Sequence, residues 1–388
     1  MLLRLIHRRP ATENLLVLFI RLGVFGFLSI AHFTSSLSIY VIAFLMGVYE
    51  LCVAGIHIVT YVLYRQNDIH PRLSFLLDGI WIGGVGLATV LSSNAQSNLQ
   101  AFIMGLYLFL FGGTNLRDGL FFESQLQQNH LKRRLRVSLP LGIAALIPFS
   151  TLEWINHFLQ QNSDEAMVEA YDESKPLDKA PSLEIFVHVS PDGFGRMGHV
   201  DLSYKGTVYS YGNYDLTSLR LFGTVGDGIL FKAPRDAYVD FCNQFGKTLM
   251  AYQIVLTDEQ ERAVAQEIQE LERLTVAWEP TDQVLDKDEF GKPSKMYVYR
   301  LRQEFGAETY KFVRSKFKTY FVMSTNCVLL ADTIVGKAGT DLLGVKGFIA
   351  PGTYQSYLDR EFERPYSMVV AREVFLSTKK EKETGTTP

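Results

Sequence analysis

Apolar residues fall in long unbroken blocks through the first 158 positions, and at strand or helix spacing after position 182. The two halves therefore suit different solvents. Five blocks, about 14 to 34, 38 to 63, 73 to 92, 98 to 121 and 137 to 158, each hold the roughly 20 residues that a helix needs to cross a bilayer. They predict an N-terminal all-α transmembrane bundle of about five helices over residues 1–158, with the membrane lipid bilayer as its partner. The first block is too long, and too closely followed by others, to be a cleavable signal. An internal two-helix repeat runs through the bundle: AFLMGVY at 43–49 returns 58 residues later as AFIMGLY at 101–107, with Gly55 matching Gly113 and Gly84 matching Gly142. Glycines at such matched places suit close helix packing in lipid.

Residues 159–181 are acidic and short of apolar side chains, which predicts a solvated linker. From 182 to 376 the pattern is that of an α+β domain. Strands are predicted near 183–189, 199–204, 207–212, 228–233, 248–256, 296–302, 308–313 and 367–375. A helix is predicted over 258–274, opened by a Thr257-x-x-Gln260 capping box. The polar remainder, 377–388, reads as a disordered tail.

Charge adds a direction. Arg4, Arg8 and Arg9 precede the first block, Arg65 and Arg72 lie between the second and third, and Lys132, Arg133, Arg134 and Arg136 precede the fifth, whereas the alternate loops carry none. Five crossings then make a multi-pass cell-membrane protein with a cytoplasmic N-terminus and an extracytoplasmic C-terminal domain. Arg21, Glu50, His57 and Asp78 fall inside blocks, where charge either holds a bundle together through pairs such as Arg21 with Glu50 or lines a path. A formal net charge of −3 shows no basic patch, which argues against nucleic acid as a partner. Three cysteines do not make a disulfide scaffold, although Cys242 and Cys327 are both in the second half. No phosphate-cradling glycine loop and no metal-ligand spacing occurs, so neither cofactor nor metal is expected; Gly223, Gly226 and Gly228 read as a turn.

Two stretches carry candidate chemistry. In YFVMSTNCVLLADTIV, residues 320–335, three N-cap residue types precede an apolar helical run, so Cys327 falls in a first helical turn. Unpaired N–H groups and the positive end of the helix dipole stabilise a thiolate there, and the thiolate is the nucleophilic form. The alternative is a small buried hydrophobe, as most free cysteines are. In GRMGHVDLSYKGTVYSYGNYD, residues 195–215, His199 opens a strand that turns at Lys205-Gly206. Together they are the two halves of a thiol–imidazole nucleophile.

The Gly198-His199-Val200 strand start, the return strand Val208 to Gly212 and the distant Tyr320-x5-Asn326-Cys327 resemble the circularly permuted papain-like hydrolases, the clan of NlpC-type cell-wall peptidases and lecithin:retinol acyltransferase-like enzymes. The resemblance spans roughly residues 183–375. It implies Cys327 as nucleophile, His199 as base, and a third polar group on the following strand to orient the imidazole. A two-residue turn sets Ser210 opposite Asp201, on the His199 face, so Ser210 is the positional match, although the clan more often has His, Asn or Gln there. Asn213 and Asp201 remain candidates, and Tyr320 is either near an oxyanion or a core residue. The implied activity is a membrane-anchored cysteine hydrolase cleaving amide bonds, of a cell-wall peptide or related substrate, through a thioester. The alternatives are a lipid or lipoprotein acyltransferase or thioesterase acting on an acyl-lipid substrate, and an inactive membrane-tethered binding module.

Overall fold

The computed structural model describes residues 35–70, 72–91, 173–175, 179–189, 198–245, 247–282, 285–287, 293–338, 351–363 and 367–375. The chain forms two compact units, 1–55 with 78–108, and 56–77 with 109–388. Helix α1 (Ser35–Gln66) begins in the first unit and ends in the second, and α2 (Leu73–Leu91) runs from the second into the first.

Both helices hold segments long and apolar enough to cross a membrane, Phe44–Gln66 and Leu73–Leu91. Two such segments, rather than five, are what the described residues show. The blocks at 14–34, 98–121 and 137–158, and with them Arg21, Gly105, Gly113 and Gly142, lie outside the described residues, as does the tail at 377–388.

Within the first unit the helices are in close contact at Gly47 and Gly86. A Cβ on Gly47 would stand 2.7 Å from Val90 Cγ2 and 3.0 Å from the Gly86 carbonyl oxygen, and one on Gly86 would stand 2.9 Å from Glu50 Cβ. Gly55 and Gly84 have nothing within 4 Å of theirs among the described residues. Gly47→Leu should lower the stability of the detergent-solubilised protein by about 1 to 3 kcal/mol, the usual effect of forcing methylenes into filled space. Gly55→Leu should leave the melting curve nearly unmoved; equal shifts for the two would mean that the helices do not cross at Gly47.

The second unit is built on an antiparallel sheet of nine strands. In chain order its elements are β1 (Glu173–Ser174), β2 (Leu183–Val189), β3 (His199–Tyr204), β4 (Thr207–Gly212), β5 (Val225–Asp227), β6 (Ile229–Pro234), α3 (Arg235–Gln244), β7 (Thr248–Ile254), α4 (Asp258–Glu272), β8 (Thr275–Ala277), β9 (Leu285–Lys287), β10 (Pro293–Lys295), α5 (Tyr297–Phe305), β11 (Glu308–Phe312), β12 (Thr319–Phe321), α6 (Cys327–Val335), α7 (Pro351–Glu363) and β13 (Val369–Phe375). The sheet order is β1-β13-β7-β2-β3-β4-β6-β11-β8, while β5 pairs with β12 and β9 with β10 apart from it.

Alternation along the strands gives the sheet two apolar faces. Ile185, Val187, Val200, Leu202 and Tyr211 join one core with residues of α4, α6 and α7; Phe186, Val208 and Phe231 join the other with α3 and α5. The β3–β4 turn has both central residues left-handed, Lys205 at φ 50° and Gly206 at φ 79°, as a tight hairpin matched to strand twist requires. Helix α4 opens with the expected capping box, in which the Gln260 N–H donates to Thr257 Oγ1 and the Thr257 N–H to Gln260 Oε1, and it buries Val264, Ile268 and Leu271.

Two expectations change. Residues 296–302 read as a strand because Tyr-Val-Tyr has high β propensity, yet they belong to α5, which buries Val298 and Leu301 at helical spacing and stops at left-handed Gly306. Tertiary packing overrode local preference. The acidic stretch also contains structure: Glu173 and Ser174 pair with Arg372 and Ala371 on β13, and Lys179 bridges Asp258 at 2.8 Å and Glu261 at 3.3 Å.

Candidate active site

Cys327 is the first residue of α6, whose turn is built by the residues before it. Asn326 caps the helix by accepting from the Leu329 N–H at 3.1 Å, while its own amide donates to the Val322 carbonyl at 2.9 Å. Thr325 Oγ1 donates to the Thr319 carbonyl, tying the turn to β12. Polar residues ahead of an apolar run thus make a capped helix start with the sulfur at its positive end. The thiol is 4% exposed.

Helix α6 packs against β3, which brings Cys327 close enough to His199 for its sulfur to act on the imidazole electrostatically. The opposite edge of the ring is committed. His199 Nε2 stands 3.1 Å from Ser210 Oγ, 3.1 Å from Tyr214 Oη and 2.9 Å from Asp201 Oδ1. Nδ1 is the nitrogen left for the sulfur. The observed hairpin register ends at Leu202 opposite Tyr209, and extending it by one residue puts Asp201 across from Ser210, the face that also carries His199. Asp201 Oδ1 takes no aligned hydrogen bond among the described residues, so it acts on the ring by charge while Ser210 and Tyr214 supply hydrogen-bonding contacts.

Asp201 is fully buried, and burial alone would neutralise it; the imidazoles of His199 and His188 outweigh burial and hold the carboxyl well below its usual range. For His199, burial likewise opposes the charged form, but Asp201 and then the Cys327 sulfur override it and push the ring up to about 10. Tyr320 lies close to the sulfur, and burial pushes its phenol well above the usual range, so the hydroxyl stays protonated.

The other candidates separate cleanly. Asn213 donates from Nδ2 to the Gly223 carbonyl at 2.8 Å and fastens a turn, with no contact to His199. Cys242 is a free, fully buried thiol that burial pushes up to about 11, 3.6 Å from Tyr297 Oη. Three site residues went unread in the sequence: Tyr214, and His188 with Tyr238, which meet the far oxygen of Asp201. His188 had a readable signal, since HV at 188–189 lies on the strand preceding HV at 199–200. A cavity of about 420 Å³ lies at the other end of β2 and β3, between Ser182, Glu184, Lys205, Arg235 and Gln253, and none of the thiol-site residues lines it. No group of His, Cys, Asp and Glu suited to a metal ion occurs among the described residues.

The two histidines set opposite pH limits on the fold. Burial lowers His188 to about 4, below the roughly 6.5 of an unfolded histidine, so the unfolded chain binds the extra proton and stability falls as pH drops from about 6.5 towards 4. His199 is raised, so its contribution is complete below about 6.5 and is lost as pH climbs to about 10. Urea denaturation across pH should show a maximum near neutrality, and His188→Leu should flatten its acid side; an acid side unchanged in that variant would remove His188 as its cause.

No family model matches this chain, and no curated protein or solved structure matches it.

Proposed function

We propose that the second unit is a thiol–imidazole acyl-transfer enzyme. The observation that carries the reading is Cys327 on a helix N-terminus, beside a His199 whose other edge faces a buried carboxylate. The thiolate attacks an amide or ester carbonyl, and the backbone N–H of Cys327 and the Tyr320 hydroxyl are the donors nearest the oxygen that becomes negative. His199 passes its proton to the leaving amine or alcohol as the C–N or C–O bond breaks, leaving an acyl thioester on Cys327. An acceptor, water or a second amine or alcohol, then loses its proton to His199, takes the acyl group and frees the thiolate. The arrangement resembles that of the permuted papain-like hydrolases. The test is an electrophilic trap on the purified chain with mass determination of any acyl group on Cys327; a chain on which the trap and natural acyl groups are both absent from Cys327 would leave the binding-module reading in its place.

One contact bears on the substrate. Inside this unit, Thr60 of α1 shares a 3.0 Å hydrogen bond with Ser324, and Asn67 Nδ2 donates to Thr319 Oγ1 at 2.7 Å. The turn before Cys327 is therefore held by the end of an apolar helix, which favours an acyl chain taken from a lipid over a cell-wall peptide. The same contacts support a domain on the side where α1 emerges, and Arg65 and Arg72 mark that side as cytoplasmic. This differs from the extracytoplasmic domain expected from five crossings. A cysteine placed at exposed Glu259 should resist an impermeant maleimide in intact cells and react once they are opened; reaction in intact cells would restore the outward orientation.

A further inference from the structure

The Asp201 carboxylate has two oxygens, and only one is used by His199. Its second oxygen, Oδ2, is 2.6 Å from His188 Nε2 and accepts a 2.5 Å hydrogen bond from Tyr238 Oη, while Tyr238 Oη is 3.2 Å from His188 Nε2. His188 sits directly opposite His199 in the β2–β3 register, with the rings edge to face at 5.3 Å, and Tyr238 reaches the carboxylate from α3. His188 is 3% exposed, Asp201 1% and Tyr238 0%. Such a cluster is not needed to fill the core, and a buried anion is tolerated only where it is bonded and paired.

We infer that His188 and Tyr238 are positioning residues of the thiol–imidazole site, which by bonding Oδ2 keep the Asp201 carboxylate ionised and its Oδ1 turned to His199. The inference rests on the acyl-transfer reading of Cys327 and His199. His188 carries its proton on Nε2, because the carboxylate can only accept, and its Nδ1 has no hydrogen-bond partner among the described residues. Burial keeps that ring neutral, with a lowered affinity for a second proton. A neutral donor serves best here, because a second imidazolium on Oδ2 would compete with His199 for the one negative charge. Tyr238 stays protonated for the same reason, its phenol pushed well above the usual range by burial and then by Asp201.

The remaining titratable groups facing the carboxylate are Tyr214 after β4, Cys242 on α3, Lys247 before β7 and Tyr297 on α5. Lys247 is the other cation among them. Its ammonium lies 4.0 Å over the Tyr297 ring, and burial lowers its hold on the proton. All four groups are unchanged in the variants below, so their influence is common to every curve compared.

The experiment follows alkylation of the full-length, detergent-solubilised chain by iodoacetamide as a function of pH, with mass spectrometry reporting Cys327 separately from Cys52 and Cys242. Charge passes along the line Asp201, His199, Cys327: a weaker carboxylate makes a weaker imidazolium, and a weaker imidazolium lets the thiolate form only at higher pH. Tyr238→Phe keeps the ring and removes one donor; His188→Leu removes the other; His188→Gln restores an N–H donor near the place of Nε2. The first two should move the midpoint of the Cys327 curve upward by about one pH unit, the low end of what one neighbouring charge does to a titration. His188→Gln should return it close to the parent value. A role in packing alone would lower the melting temperature and leave the midpoint still. Unmoved midpoints in Tyr238→Phe and His188→Leu, or a His188→Gln curve that follows His188→Leu, would overturn the inference. If His188→Leu does not fold, Tyr238→Phe decides. In the parent chain, a Cys327 that reacts no faster than Cys242 at any neutral pH would instead remove the acyl-transfer reading itself.

Discussion

Cys327→Ala should abolish covalent labelling by an acyl-mimicking electrophile and reduce turnover on the order of 10⁴-fold or more, the scale on which a nucleophile acting as one unit with its base is lost. Cys242→Ala should leave both within about twofold. The contrast rests on environment rather than on burial, because both sulfurs are buried. Cys327 has a helix N-terminus, an imidazole and a phenol around it. Cys242 lies in the later part of α3 among Tyr297, Phe241 and Tyr238, where burial disfavours its thiolate. The substitution at 327 should cost the fold little, since a small residue at the first helical position leaves the Asn326 cap and its bonds to Leu329 and Val322 in place. Mass spectrometry of the labelled chain, together with its melting curve, separates loss of the nucleophile from loss of the protein. A Cys327→Ala chain that still labels at another residue and keeps its turnover would end the enzyme reading.

The places of Cys327 at a helix start and of His199 at a strand start were legible because each is announced by strictly local grammar. Ser324, Thr325 and Asn326 before an apolar run mark a helix start, and Lys205-Gly206 marks a two-residue turn that sets the register of everything on β3 and β4. From that register alone Ser210 falls beside His199, where it stands at 3.1 Å. Tyr214 and Tyr238 were not legible, since each reaches the site by packing: one through a turn after β4, the other from a helix on a different part of the sheet. No periodicity encodes such meetings. Asp201 was readable as a face-mate of His199, but its weight was not, because complete burial and the second histidine are what make its charge matter. In the N-terminal part, apolar length located α1 and α2.

Asp201→Asn should reduce turnover more than any change short of the nucleophile and base, on the order of 10⁴-fold, the effect of the same substitution behind a catalytic histidine elsewhere. The amide keeps the shape and removes the charge that raises His199. The sign of the pH effect follows from that ring. In the parent chain the imidazolium persists up to about 10, so the ion pair survives across neutrality and dissolves only as pH rises through that value. In Asp201→Asn the ring should lose its proton far earlier, towards the roughly 6.5 of an ordinary histidine, and the alkaline limb of turnover should move down with it. Ser210→Ala should lower turnover less and leave the limb where it is, because a hydroxyl at 3.1 Å orients the ring without charging it. Asn213→Ala should leave both unchanged, since its amide is spent on the Gly223 carbonyl. Turnover measured from about pH 5 to 11 in the three variants orders these roles, since that window brackets both the ordinary and the raised histidine. If Ser210→Ala moves the limb and Asp201→Asn does not, the hydroxyl and not the carboxylate governs His199.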